Sequence, residues 1–228
     1  LSAVIARSDD TKETLAEKVR LATIIGTIQS TATYFPNLRS IWKVNCEAER
    51  LLGVDITGQQ DCPVLRYDEI FAELREVAIN VNKEFAEKLG INQATSVTCV
   101  KPSGNTSTLV DCSSGLHSRW AGCYIRNVRL SATSPIVNVL RDAGLTLTPE
   151  NGNDVNHPTT YVVGFPIAAP EDSAVRGTQT VTDQLWWWLQ NKKDWTEHNP
   201  SVTITYRTNE ILPLLQWMWN NRNWIGGM

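Results

Sequence analysis

The sequence lacks any long apolar run and any large excess of charge of one sign. None of its apolar stretches approaches the roughly 20 residues that a membrane-spanning helix needs. We expect no signal peptide, because the polar residues Ser8, Asp9 and Asp10 follow closely on Leu1. The formal net charge of −3 gives no electrostatic reason to expect DNA or a membrane surface as a partner. A nucleotide could still bind, because one local site for an anion is sufficient.

Cysteine and histidine are few and scattered. The five cysteines are odd in number, irregularly spaced and without a Cys-x-x-Cys motif, and no carboxylate or cysteine lies at ligand spacing from the three histidines. This pattern argues against a disulfide framework and against a zinc site, and it favours a protein of the reducing cytoplasm. The residues concerned are Cys46, Cys62, Cys99, Cys112, Cys123, His117, His157 and His198.

The common signatures of nucleotide-binding folds and hydrolases are also missing. The sequence has no P-loop, no Gly-x-Gly-x-x-Gly and no Gly-x-Ser-x-Gly motif. Both ends look cut, because Leu1 is not a natural start and Gly226-Gly227-Met228 follows directly on a helical pattern. We therefore expect residues 1–228 to be a piece of a larger domain, truncated at both ends.

Hydrophobic periodicity predicts helices that alternate with strands, which indicates an α/β layer fold with mostly parallel strands. The clearest helix spans residues 67–89, and we interpret its apolar stripe as core packing. No internal repeat or linker interrupts the pattern. Helices are predicted at residues 11–33, 38–52, 67–89, 135–143, 181–192 and 210–224, and strands at residues 54–57, 95–100, 124–130, 160–165 and 202–206.

Three details of these helices can be tested. Residues 10–13 resemble a capping box at the start of the first helix. Gly53 is expected to end the second helix. The consecutive residues Trp186, Trp187 and Trp188 are interpreted as a helix with one tryptophan in the core and the others at an interface.

The most informative stretch follows the predicted strand at residues 95–100. It combines a Pro-Ser-Gly turn, which lets backbone N–H groups approach a ligand closely, with several hydroxyl donors. If a helix begins at Asn105 or Thr106, its free N–H groups and its dipole complete a pocket for a phosphate. The alternative is an ordinary turn with a Ser or Thr helix cap. The candidate phosphate-binding residues are Pro102, Ser103, Gly104, Asn105, Thr106 and Ser107.

A second polar, glycine-containing loop at residues 111–119 is expected to lie near the first. Arg119, Arg126 and Arg129 could pair with a phosphate or with structural carboxylates. Arg126 and Arg129 differ by three positions, so on a strand they point to opposite faces. Cys112 could be a nucleophile, but a buried structural thiol is the better interpretation. His117 is interpreted as a hydrogen-bonding residue of the loop.

Together these stretches resemble class II ribonucleotide reductases, and more specifically their monomeric, triphosphate-reducing type. The resemblance covers nearly the whole chain, and it rests on the order and spacing of the motifs more than on any one of them. The similar stretches are residues 19–31, 49–58, 101–107, 113–117, 124–129, 198–203 and 224–228.

The resemblance implies a ten-stranded α/β barrel with helices outside the strands, of which this chain supplies much of the second half. It implies adenosylcobalamin as cofactor, a ribonucleoside triphosphate as substrate and a thioredoxin-like protein as reductant. The family's radical cysteine, its carboxylate and its reducing cysteines fall outside this chain, so we assign no catalytic residue and expect no turnover by the chain alone. Residues 102–107 carry over as donors to the substrate phosphates, although relatives often have Thr where this chain has Asn105.

Two alternatives remain open. The chain could be a stand-alone α/β domain that binds a nucleotide or phosphate without radical chemistry, which predicts an intact sheet edge. A piece of a larger barrel predicts exposed strand edges and apolar patches instead. The chain could also be a class I relative, which would use a separate radical-generating subunit.

Overall fold

The structure is a computed structural model that describes residues 1–67 and 69–228. The chain divides into two compact units. The first unit comprises Leu1–Trp120 and Pro170–Met228, and the second comprises Ala121–Ala169. Across the described residues, no helix combines the length and the apolar character that crossing a membrane requires.

The described residues form six strands and seven α-helices. The strands are β1 Ser2–Ile5, β2 Val54–Thr57, β3 Thr98–Cys99, β4 Cys123–Ser131, β5 Leu147–Pro149 and β6 Thr160–Ala168. The helices are α1 Lys12–Gln29, α2 Ser40–Glu49, α3 Ile70–Leu89, α4 Gly104–Leu109, α5 Pro135–Asp142, α6 Val181–Gln190 and α7 Ile211–Asn220. Short 3-10 turns lie at Gln59–Asp61, Pro63–Arg66 and Thr208–Glu210, and a π-helical turn at Asn191–Trp195.

The first unit is built on a parallel sheet with the strand order β1-β2-β3. Ser2 pairs with Val54, and Val54 pairs with Thr98. All four residues of β2 are buried, as is typical of a parallel strand covered on both faces. Of these strands, β2 was predicted at its observed position, β3 is shorter than predicted, and β1 was not predicted.

Helices α1 and α3 pack against each other, and α1 also contacts β1 and β2. The predicted apolar stripe of α3 is core packing as far as Val81, whereas Leu89 at its end is 42% exposed. Its predicted first turn includes Asp68, which lies outside the described residues, and α3 ends at Gly90 in the left-handed conformation. The core residues that these two helices contribute include Leu15 and Val19 of α1 and Phe71, Leu74 and Ala78 of α3.

Two predicted helix ends are displaced. The capping box of α1 joins Thr11 to Thr14 rather than Asp10 to Glu13, because Thr11 is the N-cap and the hydroxyl of Thr14, the third helical residue, reaches the Thr11 N–H. The second helix ends at Arg50, which takes the left-handed conformation (φ 47°) that we expected of Gly53. Arg50 is held there by its side chain, whose Nη1 donates to the Ser30 carbonyl at 2.7 Å.

The tryptophans of α6 follow the prediction only in part, since Trp188 lies in the core but Trp187 is half-buried and packs against that core. Trp188 is fully buried and donates its indole N–H to the Pro200 carbonyl at 2.9 Å, whereas the Trp186 side chain is 54% exposed. Trp217 of α7 meets both rings edge-on, with ring centroids 5.9 Å from Trp186 and 6.4 Å from Trp188. These aromatic contacts join α6 to α7.

The second unit is an antiparallel sheet in the order β4-β6-β5, so the prediction of mostly parallel strands is wrong here. Strand β4 pairs with β6 along its whole length, from Cys123 with Ala168 to Ser131 with Thr160. Exposed and half-buried residues alternate along β4, and such alternation is typical of an antiparallel sheet with one solvated face. Arg126 and Arg129 lie on opposite faces of β4, as predicted.

Residues 202–206 do not form the predicted strand, and they carry no regular secondary structure. Side chains take the place of a neighbouring strand along this segment. The Thr203 N–H donates to His117 Nε2, and the Thr205 N–H donates to Gln184 Oε1, both at 3.0 Å. Gln184 Nε2 in turn donates to the Thr205 carbonyl at 2.8 Å.

Candidate functional site

The predicted phosphate loop lies between β3 and α4, and α4 begins at Gly104, slightly earlier than expected. Asn105 and Thr106 are therefore in the first turn of α4, where a helix offers no carbonyl partner for backbone N–H groups. Within residues 1–67 and 69–228, neither of these N–H groups donates to a protein acceptor. The loop thus presents two adjacent backbone donors at the positive end of a short helix.

The side chains of the loop differ in their surroundings. Ser103 and Ser107 are buried, Thr106 is half-buried, and Pro102, Gly104 and Asn105 are exposed. The Ser107 hydroxyl donates to the Gly104 carbonyl at 3.2 Å, so this proton is used inside the helix. A Cβ added at Gly104 would have no heavy atom within 4 Å, so the front of the loop is open.

The structure brings the two predicted loops together, and Gly115 is the point of contact. Its φ is +56°, and an added Cβ would lie 2.6 Å from the Lys101 carbonyl oxygen. The Gly115 N–H donates to Thr57 Oγ1 at 2.9 Å, and Thr57 Oγ1 also lies 3.2 Å from the Ser113 carbonyl, to which it donates. The end of β2 therefore holds the second loop against the residue that precedes the phosphate loop.

A buried ion pair supports the second loop. Arg119 Nη2 lies 2.9 Å from Asp61 Oδ2, and Arg119 Nη1 lies 2.9 Å from Asp111 Oδ1. Asp61 also accepts the Ser113 N–H at 2.7 Å. Burial works against the charge of Arg119, but the hydrogen bonds with Asp61 and Asp111 outweigh it and raise the pKa of Arg119. Of the two roles considered for Arg119, the structure shows pairing with structural carboxylates.

Arg7 holds the other end of α4. Its Nη1 donates to the Asp111 carbonyl at 2.7 Å, and its Nη2 donates to the Val110 carbonyl. A cation at these carbonyls complements the negative end of the helix. This contact could not be predicted from the sequence, because Arg7 and α4 are about 100 residues apart and no local pattern joins them.

His117 and Cys112 match their predicted roles as structural residues. His117 Nδ1 lies 3.0 Å from the Ser114 carbonyl, and its Nε2 accepts the Thr203 N–H. Cys112 is buried, and burial raises the pKa of its thiol. All five cysteines are free, and the described part of the chain contains no group of three or more His, Cys, Asp or Glu residues that could hold a metal ion.

A cavity of about 260 Å³ opens beside the second loop. His117 and Ser118 form one side, and Trp120 lies at its wall with the Arg176 guanidinium 4.5 Å from the ring centroid. Residues 102–107 do not line this cavity. This cavity is therefore separate from the phosphate loop.

Curated proteins that are similar to this chain share one name. The chain is 32% identical over 155 residues to the adenosylcobalamin-dependent ribonucleoside-triphosphate reductase of Lactobacillus acidophilus, covering 65% of this chain and 20% of that protein. It is 33% identical over 149 residues to the enzyme of the same name from Lactobacillus helveticus, covering 62% of this chain and 20% of that protein. It is 25% identical over 142 residues to the enzyme of the same name from Lactobacillus leichmannii, covering 60% of this chain and 19% of that protein. The chain thus spans about a fifth of the length of the curated relatives it matches.

A solved structure gives the same assignment at the level of the fold. The crystal structure of a B12-dependent (class II) ribonucleotide reductase superposes with a TM-score of 0.77 at 21% identity, covering 92% of this chain and 33% of that one. No family model matches the chain. Over 65% of its length, the chain is similar in sequence to an adenosylcobalamin-dependent ribonucleoside-triphosphate reductase, and it has the α/β fold of part of a class II ribonucleotide reductase.

Proposed function

We propose that this chain is a segment of the catalytic barrel of an enzyme that reduces ribonucleoside triphosphates to deoxyribonucleoside triphosphates. Within that enzyme, residues 102–107 bind the phosphates of the substrate. The names of the relatives support the reaction and favour the cobalamin-dependent class over a class I enzyme. Exposed apolar residues support the larger barrel, since Leu21, Ile25 and Ile28 form a row on α1 that is about half exposed.

The observation that carries the phosphate-binding role is the pair of unused N–H groups at Asn105 and Thr106. Backbone donors at a helix N-terminus stabilise an anion without a lysine, because the helix dipole and the N–H groups act together. The hydroxyls of Ser103 and Thr106 add donors that have no protein partner among the described residues. Anchoring the phosphates there would fix the ribose relative to a radical that must reach one hydrogen atom.

The cofactor and the reductant belong to the proposal for the whole enzyme. Adenosylcobalamin would supply the radical that starts the reduction, and a thioredoxin-like protein would restore the reducing thiols. No contact among the described residues places the cofactor, so we assign no residue of this chain to adenosylcobalamin and derive no step through it. The free cysteines support a cytoplasmic location.

The variant Asn105→Asp tests the phosphate loop. Aspartate has nearly the same shape and is favourable in the first turn of a helix, so the fold should be kept, whereas its charge should repel a phosphate. We expect the affinity of the chain for a ribonucleoside triphosphate to fall roughly tenfold, which corresponds to about 1.4 kcal/mol. Isothermal titration calorimetry with the full chain measures this change.

Asn138→Asp is the matched control, because it makes the same change of charge at an exposed position of α5. It should leave the affinity within about twofold of the original chain. Equal affinities for the original chain and for Asn105→Asp would contradict phosphate binding by this loop.

A further inference from the structure

Asp55 is a buried carboxylate in the parallel sheet. Neither apolar packing in the core nor direct contact with a phosphate explains why an acidic side chain lies there. It lies in the middle of β2, pairs in register with Ala3 of β1 and Cys99 of β3, and is only 1% exposed. Its Oδ1 accepts the Lys101 N–H at 2.9 Å. Its Oδ2 is buried and has no hydrogen-bond partner among the described residues. A buried carboxylate with one oxygen unpaired is costly to keep charged.

The Asp55 side chain accepts a hydrogen bond from Lys101, the residue where the phosphate loop begins. The backbone ladder between β2 and β3 ends at the pair Asp55 and Cys99. The Asp55 side chain continues it by holding the N–H of Lys101, while the carbonyl of Lys101 faces Gly115 of the second loop. Lys101 is thus fixed on both sides, and Asp55 helps to set the direction in which residues 102–107 leave the sheet.

The charge of Asp55 is sensitive to its surroundings. Burial raises the pKa of Asp55 to about 7, against the opposing effects of the Lys101 N–H and the Lys101 ammonium. On the neighbouring strand, burial and then Asp55 itself raise the pKa of the Cys99 thiol to about 12, so Cys99 stays neutral. The charges of the Leu1 amino group and of Lys101 oppose this rise. Asp55 can therefore gain or lose its proton near neutral pH.

We propose that Asp55 is a proton-linked positioning residue of the phosphate loop, which takes up a proton when an anionic phosphate binds at residues 102–107. This inference rests on the phosphate-binding role proposed above. A bound phosphate would add negative charge to the loop that begins at Lys101, the residue whose N–H the Asp55 side chain holds. Like charges repel, so a bound phosphate favours the neutral form of Asp55. Linkage is reciprocal, and the neutral form must therefore bind phosphate more tightly than the charged form does.

The test measures anion affinity of the full chain at about pH 6, 7 and 8, with sulfate as the probe because sulfate stays doubly charged throughout this range. We expect the affinity of the original chain to rise about fivefold to tenfold from the highest to the lowest pH. The variant Asp55→Asn should lose this rise, since asparagine is always neutral. It keeps the oxygen that accepts the Lys101 N–H, and the removal of a buried charge should not unfold it. Asp154→Asn, at an exposed position, is the control.

An unchanged pH dependence in Asp55→Asn overturns the role of Asp55 while leaving phosphate binding intact. Failure of sulfate and of nucleoside triphosphate to bind the original chain at any pH overturns the phosphate site itself.

A second measurement on the original chain needs no variant. The carboxyl carbon of Asp55, followed by NMR as the pH is changed, should show a higher pKa with sulfate than without it. An equal pKa in the two titrations contradicts the proposal.

Discussion

At the scale of single residues, the geometry of the site depends on positions where little else would fit. Gly115 combines a positive φ with the close approach of its Cα to the Lys101 carbonyl. Asp61 and Arg119 form a buried ion pair. Loss of either side chain would leave the other charge buried without a partner. These contacts hold the second loop, and through Lys101 they act on the start of the phosphate loop.

Gly115→Ala should therefore displace the phosphate loop as well as destabilise the chain. A left-handed alanine costs about 1–2 kcal/mol, and its Cβ would lie 2.6 Å from a backbone oxygen that has to move. We expect a lower free energy of unfolding in urea and weaker binding of nucleoside triphosphate.

Gly177→Ala is the matched control, since its added Cβ would meet nothing within 4 Å. It should change neither quantity by more than about 0.5 kcal/mol. Normal triphosphate affinity in Gly115→Ala would show that the two loops are not coupled.

At the scale of elements, Glu197 acts as a single-residue partner for the outer edge of β3. Its N–H donates to the Thr98 carbonyl at 3.1 Å, and its carboxylate accepts the N–H groups of Val97 and Thr98. Burial works against its charge, but these N–H groups and Arg75 outweigh it and lower the pKa of Glu197. The edge of this short strand is thus closed by a side chain.

Glu197→Gln should lower the free energy of unfolding at neutral pH by about 1 kcal/mol, because an amide accepts these hydrogen bonds less strongly than a carboxylate. The pKa of Glu197 is lower in the folded chain than in the unfolded chain. Its stabilising effect is therefore present at pH values above the unfolded pKa, and it is lost as the pH falls through the folded one.

Urea unfolding at about pH 7 and at about pH 3 measures the difference between the two proteins. The difference should be largest at neutral pH and should shrink on acidification. Glu76→Gln, at an exposed position of α3, is the control. A difference that is the same at both pH values would contradict a role for the charge.

The sequence was informative about elements where local patterns decide the structure. Periodicity accounts for the apolar stripe of α3, and Gly90 accounts for its end. Pro135 accounts for the start of α5. Residues 202–206 have the composition of a strand, but a strand also needs a neighbouring strand, and in this chain the neighbours are the side chains of His117 and Gln184. Local composition does not show which distant residues a segment will pair with.

The same distinction holds for the candidate site. The position of the phosphate loop and the helix that follows it were predicted from the Pro-Ser-Gly turn and the hydroxyl residues beside it. Asp55, Asp61 and Arg7 were not predicted, because each acts on residues about 50 to 100 positions away. Only the fold brings such residues together, so no pattern within a short window could have found them.

At the scale of the whole molecule, the division into two compact units suggests that the second is an insertion. We expect the first unit to fold cooperatively when residues 121–169 are replaced by a short Gly-Ser linker between Trp120 and Pro170. The variant should unfold in urea with a smaller m-value, in proportion to the surface that no longer unfolds. Circular dichroism and urea titration measure this, and the loss of a cooperative transition would contradict the expectation.

The bridge between Arg119 and Val175 gives this arrangement a further consequence. Arg119 donates its N–H to the Ala174 carbonyl at 3.0 Å, and Arg176 donates its N–H to the Arg119 carbonyl at 2.8 Å, so the first unit joins its own two segments by backbone hydrogen bonds. The entropy of closing a loop grows only slowly with its length. Evolution could therefore lengthen, shorten or exchange the chain between these two points at little energetic cost, and a protein engineer could use the same place to graft a foreign domain.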